Sequence, residues 1–216
     1  MKKYFLFDLD GTITDTGEGI MKSAQYALTA FGFPQQTEAQ LRRFVGPPLQ
    51  GSFETFYGLS PVDAAQAVEK YRERYRDKGV FESPLYPGMA GFLERLRGNA
   101  VLFLATSKPL VFARQILSLR GVEQYFTCLS GAELDGARTD KAEVIAYARE
   151  LLENPPKEQM VMVGDRRQDV LGAKAQGVES IGVLYGYSDP GELWEAGATH
   201  LVSSVEELEA LCFSLL

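Results

Sequence analysis

The apolar run Tyr4-Phe5-Leu6-Phe7 breaks at once into Asp8-Leu9-Asp10-Gly11-Thr12. No other segment constrains the chain as tightly. Consecutive bulky apolar residues read as a buried strand, and the two carboxylates that follow mark where it leaves the core. On an extended chain alternate residues share a face, so Asp8 and Asp10 stand roughly 6–7 Å apart along the backbone. Like charges at that spacing call for a cation. A hard divalent ion with oxygen ligands, Mg²⁺, fits such a pair and leaves a carboxylate oxygen facing an incoming electrophile. The competing reading is a solvated Asp-x-Asp-Gly turn after an edge strand.

From Pro87 onward, short apolar runs alternate with amphipathic segments, the pattern of βα units around a parallel sheet. The runs are Ala100 to Ala105, Tyr125 to Leu129, Met160 to Val163, Ser180 to Leu184 and His200 to Val202. Near-continuous apolar strands of this kind are covered on both faces. Helical patterns fall between them at Met89 to Arg97, Pro109 to Arg120, Asp140 to Leu152, Asp169 to Gln176, Pro190 to Ala196 and Val205 to Leu215. Glycines such as Gly121, Gly177 and Gly197 close several of these, as helix C-caps should. Residues 17–85 differ: Glu18 to Phe31, Thr37 to Phe44, Leu49 to Tyr57 and Pro61 to Lys78 are helical patterns with no convincing strand among them. The expected architecture is an α/β, Rossmann-like three-layer core with a central parallel sheet, built from 1–16 and 86–216. An all-helical subdomain is inserted at 17–85.

Composition narrows the partners. Across 216 residues, 29 acidic side chains outnumber 22 basic ones, a net charge of −7 that argues against nucleic acid or an anionic membrane. A phosphorylated small molecule remains compatible, because a metal and local basic groups override the global field. Cys128 and Cys212 read as separate core thiols of a reducing compartment, not as a disulfide framework. The first apolar run is too short for a signal peptide and no apolar stretch of about 18 residues occurs, so a soluble cytoplasmic protein is expected.

An open parallel sheet binds ligands at the carboxyl ends of its strands. The second strand ends in Thr106-Ser107-Lys108 and the fourth in Gly164-Asp165-Arg166-Arg167-Gln168-Asp169. Thr106 and Ser107 alone read as a helix N-cap; beside two acidic strand ends they become a phosphate cradle, completed by backbone N–H groups of the following helix. Lys141 opens a helix where the dipole already favours anions, an odd place for a cation. It reads either as a solvated surface lysine or as a fixed charge that neutralises the acids and steadies a phosphoryl group.

Asp8-Leu9-Asp10-Gly11-Thr12, Thr106, Lys141 and Gly164-Asp165-x-x-x-Asp169 resemble, in order and character, the four motifs of the haloacid dehalogenase-like superfamily. Leu41 to Leu49, Ala105 to Pro109, Ser130 to Lys141 and Gly182 to Tyr187 resemble its 5′-nucleotidase-like and phosphoglycolate phosphatase-like branch, in which the helical insert is a cap. The resemblance implies a Mg²⁺-dependent phosphomonoesterase. Asp8 is then the nucleophile that forms an aspartyl-phosphate. Asp10 protonates the leaving alkoxide, deprotonates the attacking water and offers its backbone carbonyl to Mg²⁺. Thr106, Ser107, Lys141 and Gly11 bind phosphate, Asp165 is a metal ligand and Asp169 supports it. Phosphomutase or pyrophosphatase chemistry, dehalogenation, and a phosphoacceptor or binding module are the rivals; Asp10 and the complete Asp165 site speak against dehalogenation. Nucleoside 5′-monophosphate and phosphoglycolate lead as substrates, and no pattern marks an oligomer interface.

The remaining marked residues read as structural. His200 ends a loop at the last strand, and Trp194, Phe44, Phe53, Phe56 and Tyr57 read as packing residues. Arg42, Arg43 and Lys78 read as solvated cap charges, and Arg166 and Arg167 as decoration of a helix start. Gly17 and Gly79 are candidate hinges for cap closure.

Overall fold

The computed structural model describes residues 1–216. Six strands, β1 (Tyr4–Phe7), β2 (Val101–Pro109), β3 (Cys128–Ala132), β4 (Met160–Gly164), β5 (Glu179–Val183) and β6 (His200–Val202), form one sheet in the order β3-β2-β1-β4-β5-β6. Every pairing is parallel. The chain moves from β1 to β2 on one side and later to β4 on the other, so the order reverses beside β1. That reversal opens a crevice at the carboxyl ends of the central strands.

Side chains of β1 alternate between the two faces. Phe5 and Phe7 join the larger apolar cluster, and Leu6 joins the smaller one on the opposite face. The first face is covered by α5 (Met89–Leu96), α6 (Leu110–Leu119) and α10 (Val205–Leu215), through Phe92, Ile116 and Leu208. The second is covered by α7 (Lys141–Leu151) and α8 (Arg167–Gln176), through Val144, Ile145 and Ala173. The result is a three-layer Rossmann-like α/β core. Phe7 meets Phe92 and Phe126 edge-on, with ring centroids 6.0 and 6.4 Å away. Burying rings of this size is worth about 1.5–3 kcal/mol each.

Between β1 and α5 lie α1 (Gly17–Ala30), α2 (Glu38–Arg42), α3 (Leu49–Tyr57) and α4 (Pro61–Asp77). Their ends follow local chemistry. Thr37 and Gln40 form a reciprocal capping box on α2, and Ser60 caps α4 with Pro61 in the first turn. Gly58 closes α3 in the left-handed conformation, φ 66°. Phe44 packs on Phe53, Phe56 and Tyr57, as their apolar pattern suggests. The cluster that holds Phe5 and Phe7 also holds Tyr71, Tyr75 and Leu28, so the apolar interior runs from the sheet into these helices.

Three expectations need correction. The second strand does not stop at Ala105 but runs through Thr106-Ser107-Lys108 to Pro109, because pairing with β3 continues as Thr106↔Gly131 and Pro109↔Ala132. Pro109 holds Lys108 extended and delays the helix to Leu110. The third strand forms at Cys128–Ala132, not at Tyr125 to Leu129. The bulky start of that run becomes a 3₁₀ turn and a packing loop, with Glu123–Tyr125 as the turn and Phe126 under Phe7. The small Gly131 can lie against Leu110, where a Cβ would approach to 3.2 Å. Trp194 is not a packing residue: it is 73% exposed. Helix α9 (Glu192–Ala196) buries Leu193 and Ala196 at i and i+3, which turns Trp194 and Glu195 between them outward. Cys128 and Cys212 are free thiols. No helix is long and apolar enough to cross a membrane.

Candidate active site

The turn after β1 is wound around one carbonyl. Leu9 accepts from the N–H groups of Thr12, Ile13 and Thr14 and from the Thr14 hydroxyl. Gly11 takes φ 79° in this turn and lies against the Asp165 carboxylate, so a side chain here would collide with it. Pairing of β1 with β4 carries Asp8 beside Asp165: the Asp8 N–H donates to Val163 at 2.9 Å, two residues before Asp165. Gly164 leaves room for Asp169, which folds back from the first turn of α8 to accept the Arg166 N–H at 3.0 Å.

Asp8, Asp165 and Asp169 are all buried, and each offers a carboxylate oxygen within 4.8 Å of the others. Lys141 enters this group from the start of α7. Its Nζ lies 2.9 Å from Asp8 Oδ1 and 2.8 Å from Asp169 Oδ1, and it donates to the Ala105 carbonyl at 3.0 Å. Asp140 caps the helix through Ala142 and Glu143, and Gly172 of α8 gives way to the lysine stem. These contacts explain the misplaced cation: the local helix dipole is outweighed by two carboxylates within 3 Å.

Burial raises Asp165 well above the usual carboxylate range, with the charges of Asp169 and Asp8 adding to the shift. Burial also pushes Asp169 up to about 6, against the pull of Lys141. Burial opposes the Lys141 ammonium, but Asp169 and Asp8 outweigh it and hold the lysine above its ordinary value. With all three carboxylates ionised, one ammonium would leave two negative charges uncompensated, the charge of a divalent cation. The Asp165 Oδ1 atom is buried without a hydrogen-bond partner. An all-oxygen donor set with an orphaned carboxylate oxygen fits a hard cation.

The Asp10 side chain stands outside this group and faces a neighbouring cavity. Lys108 binds it, with Nζ 2.8 Å from Oδ2 and 3.0 Å from Oδ1. The same Nζ lies 4.7 Å from the centroid of the Tyr75 ring, contributed by α4. The sequence pattern did not single out Lys108, although the signal is present. Alternation on an extended chain puts residues 106 and 108 on one face, just as it pairs Asp8 with Asp10. Thr106 is buried in the same stretch and its hydroxyl accepts the Lys108 N–H at 3.2 Å. Asp10, Ser107 and Lys108 line one part of a cavity of about 510 Å³, whose wall includes Tyr71, Tyr75 and Phe112. Glu54 and Arg72 line it as well; Arg72 also donates to the Leu134 carbonyl at 2.9 Å.

Two arginines expected to be surface charge instead tie the helical block to the sheet. Arg166 donates to the Val45 carbonyl at 2.7 Å and pairs with Glu192 at 3.0 Å. Arg42 donates to the Gly186 carbonyl at 3.0 Å. Arg43, by contrast, lies over Phe56 within its own block.

Fold and site together define an α/β enzyme with an acidic, lysine-bridged centre at the carboxyl edge of a parallel sheet. The chain belongs to the haloacid dehalogenase-like hydrolases, whose family model matches residues 5–183. It is 43% identical over 204 residues to a 5′-nucleotidase of Pseudomonas aeruginosa, covering 94% of this chain and 92% of the relative. It is 35% identical over 197 residues to a phosphoglycolate phosphatase of Vibrio cholerae, covering 86% of each. A crystal structure of a predicted phosphatase from Clostridium acetobutylicum superposes with a TM-score of 0.96 at 41% identity, covering 99% of both chains.

Proposed function

We propose that this chain is a Mg²⁺-dependent phosphatase that hydrolyses a small phosphate monoester through phospho-Asp8. The observation that carries the reading is Lys141, held between Asp8 and Asp169 while Asp10 stands apart on the cavity side. Asp8, Asp165 and the Asp10 backbone carbonyl would hold Mg²⁺, with Asp169 supporting the set, and the bound ion would supply charge neutralisation at Asp8 and the phosphoryl oxygens. Asp8 attacks phosphorus as the bond to the leaving oxygen breaks, and protonated Asp10 gives that oxygen its proton. Water then attacks the phosphorus of phospho-Asp8, Asp10 takes the water proton, and inorganic phosphate leaves with Asp8 restored. Thr106, Ser107, Gly11 and Lys141 hold the phosphoryl oxygens. The helices of 17–85 act as a cap that excludes water during the first step.

A nucleoside 5′-monophosphate suits the cavity better than phosphoglycolate does. A cavity of about 510 Å³, with Tyr71, Tyr75 and Phe112 in its wall, far exceeds what a two-carbon leaving group would fill. The name of the P. aeruginosa relative points the same way. The chain is taken to act in the cytoplasm on a soluble metabolite. Phosphate release from a panel of nucleoside monophosphates, phosphoglycolate, sugar phosphates and pyrophosphate, each with and without Mg²⁺, tests the reading. Highest kcat/KM for a nucleoside monophosphate, dependent on Mg²⁺, is expected. Preference for phosphoglycolate overturns the substrate, and turnover indifferent to divalent cations overturns the mechanism.

A further inference from the structure

The loop that follows β5, Leu184-Tyr185-Gly186-Tyr187, touches the acidic centre, the start of α1 and the helical block within four residues. Its Tyr187 N–H donates to Asp165 Oδ2 at 2.7 Å, the one hydrogen bond to a carboxylate whose other oxygen has none. The Tyr187 hydroxyl accepts the Gly17 N–H at 3.0 Å and donates to Asp15, the residues that join β1 to α1. Arg42, from α2, lies 4.7 Å above the Tyr187 ring and donates to the Gly186 carbonyl at 3.0 Å.

The loop has no slack with which to absorb a displacement. Gly186 is pressed against the Asp165 side chain and the Gly11 carbonyl so closely that no Cβ fits there. The Tyr185 hydroxyl is tied to the Thr12 carbonyl at 3.0 Å, and the Leu184 N–H to Val202 at 2.8 Å. A shift of the loop at Arg42 therefore reaches Asp165 directly. Close-packed contacts of this kind transmit displacement because they are not continuously deformable.

We propose that Arg42 and Tyr187 are positioning residues that couple closure of the helical block to cation binding: Arg42 clamps the 184–187 loop, and the loop presents Asp165 to the ion. The inference rests on the cation site proposed above. Coupling of this sort is reciprocal, so an ion that orders Asp165 also favours the closed block, by the same factor. The arrangement gives an active site that binds its cation well only when the block is seated.

Isothermal titration of metal-free protein with MgCl₂ tests the coupling without any turnover. Arg42→Ala should weaken Mg²⁺ binding about five- to tenfold, within the usual span of coupling between sites. Arg42→Lys, which keeps a cation over the ring, should recover part of the loss. Arg43→Ala is the control, because Arg43 stacks on Phe56, whereas Arg42 is the arginine over Tyr187. The reciprocal arm is amide exchange at Gly17, whose N–H the Tyr187 hydroxyl accepts. Mg²⁺ should slow that exchange in the wild type and leave it unchanged in Arg42→Ala. Thermal unfolding of each variant separates loss of the contact from loss of the fold. Equal Mg²⁺ affinity in the wild type and a folded Arg42→Ala overturns the coupling alone. Absence of Mg²⁺ binding in the wild type overturns the cation site and the coupling with it.

Discussion

Lys108 grips both carboxylate oxygens of Asp10, at 2.8 and 3.0 Å, from beneath the ring of Tyr75. The proposed acid and base of the reaction is thus oriented by a residue of β2 that itself contacts α4.

Lys108→Met removes the grip while keeping the length of the side chain. If Asp10 protonates the leaving group, the loss falls mainly on substrates whose leaving oxygen needs a proton. A nucleoside monophosphate should lose about 10²-fold in kcat, the scale of one general acid or base, whereas p-nitrophenyl phosphate should lose far less. Steady-state kinetics on the two substrates decides; equal losses would refute an orienting role for Lys108.

Asp8→Asn keeps the shape of the side chain and removes the nucleophile. Turnover should fall by about 10⁴-fold or more, and no phosphoenzyme should accumulate after acid quench with ³²P-labelled substrate. Because one of three crowded carboxylates becomes neutral, the melting temperature of the metal-free protein should not drop. Residual activity near that of the wild type contradicts the assignment.

Stability of the metal-free protein should depend on pH with a definite sign. Asp169 is raised to about 6 by burial, and Asp165 moves the same way. A carboxyl whose folded value lies above its unfolded value, near 4, contributes stability that is complete below about pH 4 and is lost as pH climbs through about 6. Divalent cation binding should reverse the loss by favouring the ionised forms. Melting curves at pH 5.0 and 7.5, with EDTA or Mg²⁺, should show the larger Mg²⁺ stabilisation at pH 7.5. The opposite ordering would exclude these carboxylates as the titrating ligands.

Gly11→Ala puts a Cβ into the Asp165 carboxylate at a backbone φ of 79°. Strain and displacement act together, so a loss of about 1–3 kcal/mol in stability is expected, together with weaker Mg²⁺ binding. Chemical denaturation and calorimetry measure the two; a variant with normal Mg²⁺ affinity shows that the close approach at Gly11 does not set the position of Asp165.

Much of this was legible in one dimension. Short continuous apolar runs and period-3.6 patterns located most of the strands and helices, and the parallel α/β class followed from their alternation. Asp8, Thr106, Lys141 and Asp165 could be marked because each occupies a strand end or helix start where its residue type is chemically conspicuous. Boundaries that depend on partners could not. Thr106 to Pro109 stays extended because β3 pairs with it, and Cys128 to Ala132 forms the strand because Gly131 tolerates the approach of Leu110. Neither partner is visible in the local pattern.

The sequence by itself determined the class of fold and the chemical inventory of the centre, since periodicity and residue type are local properties. Tertiary structure alone decided which charges meet. Alternation puts Lys108 on one face with Thr106 but does not show that β1 places Asp10 against it, and Arg42 and Arg166 look like solvated charge until they bond Gly186 and Val45. The physical reason is range. Backbone preferences act over a few residues, whereas an ion pair between positions 98 residues apart exists only once the sheet has set its strands side by side.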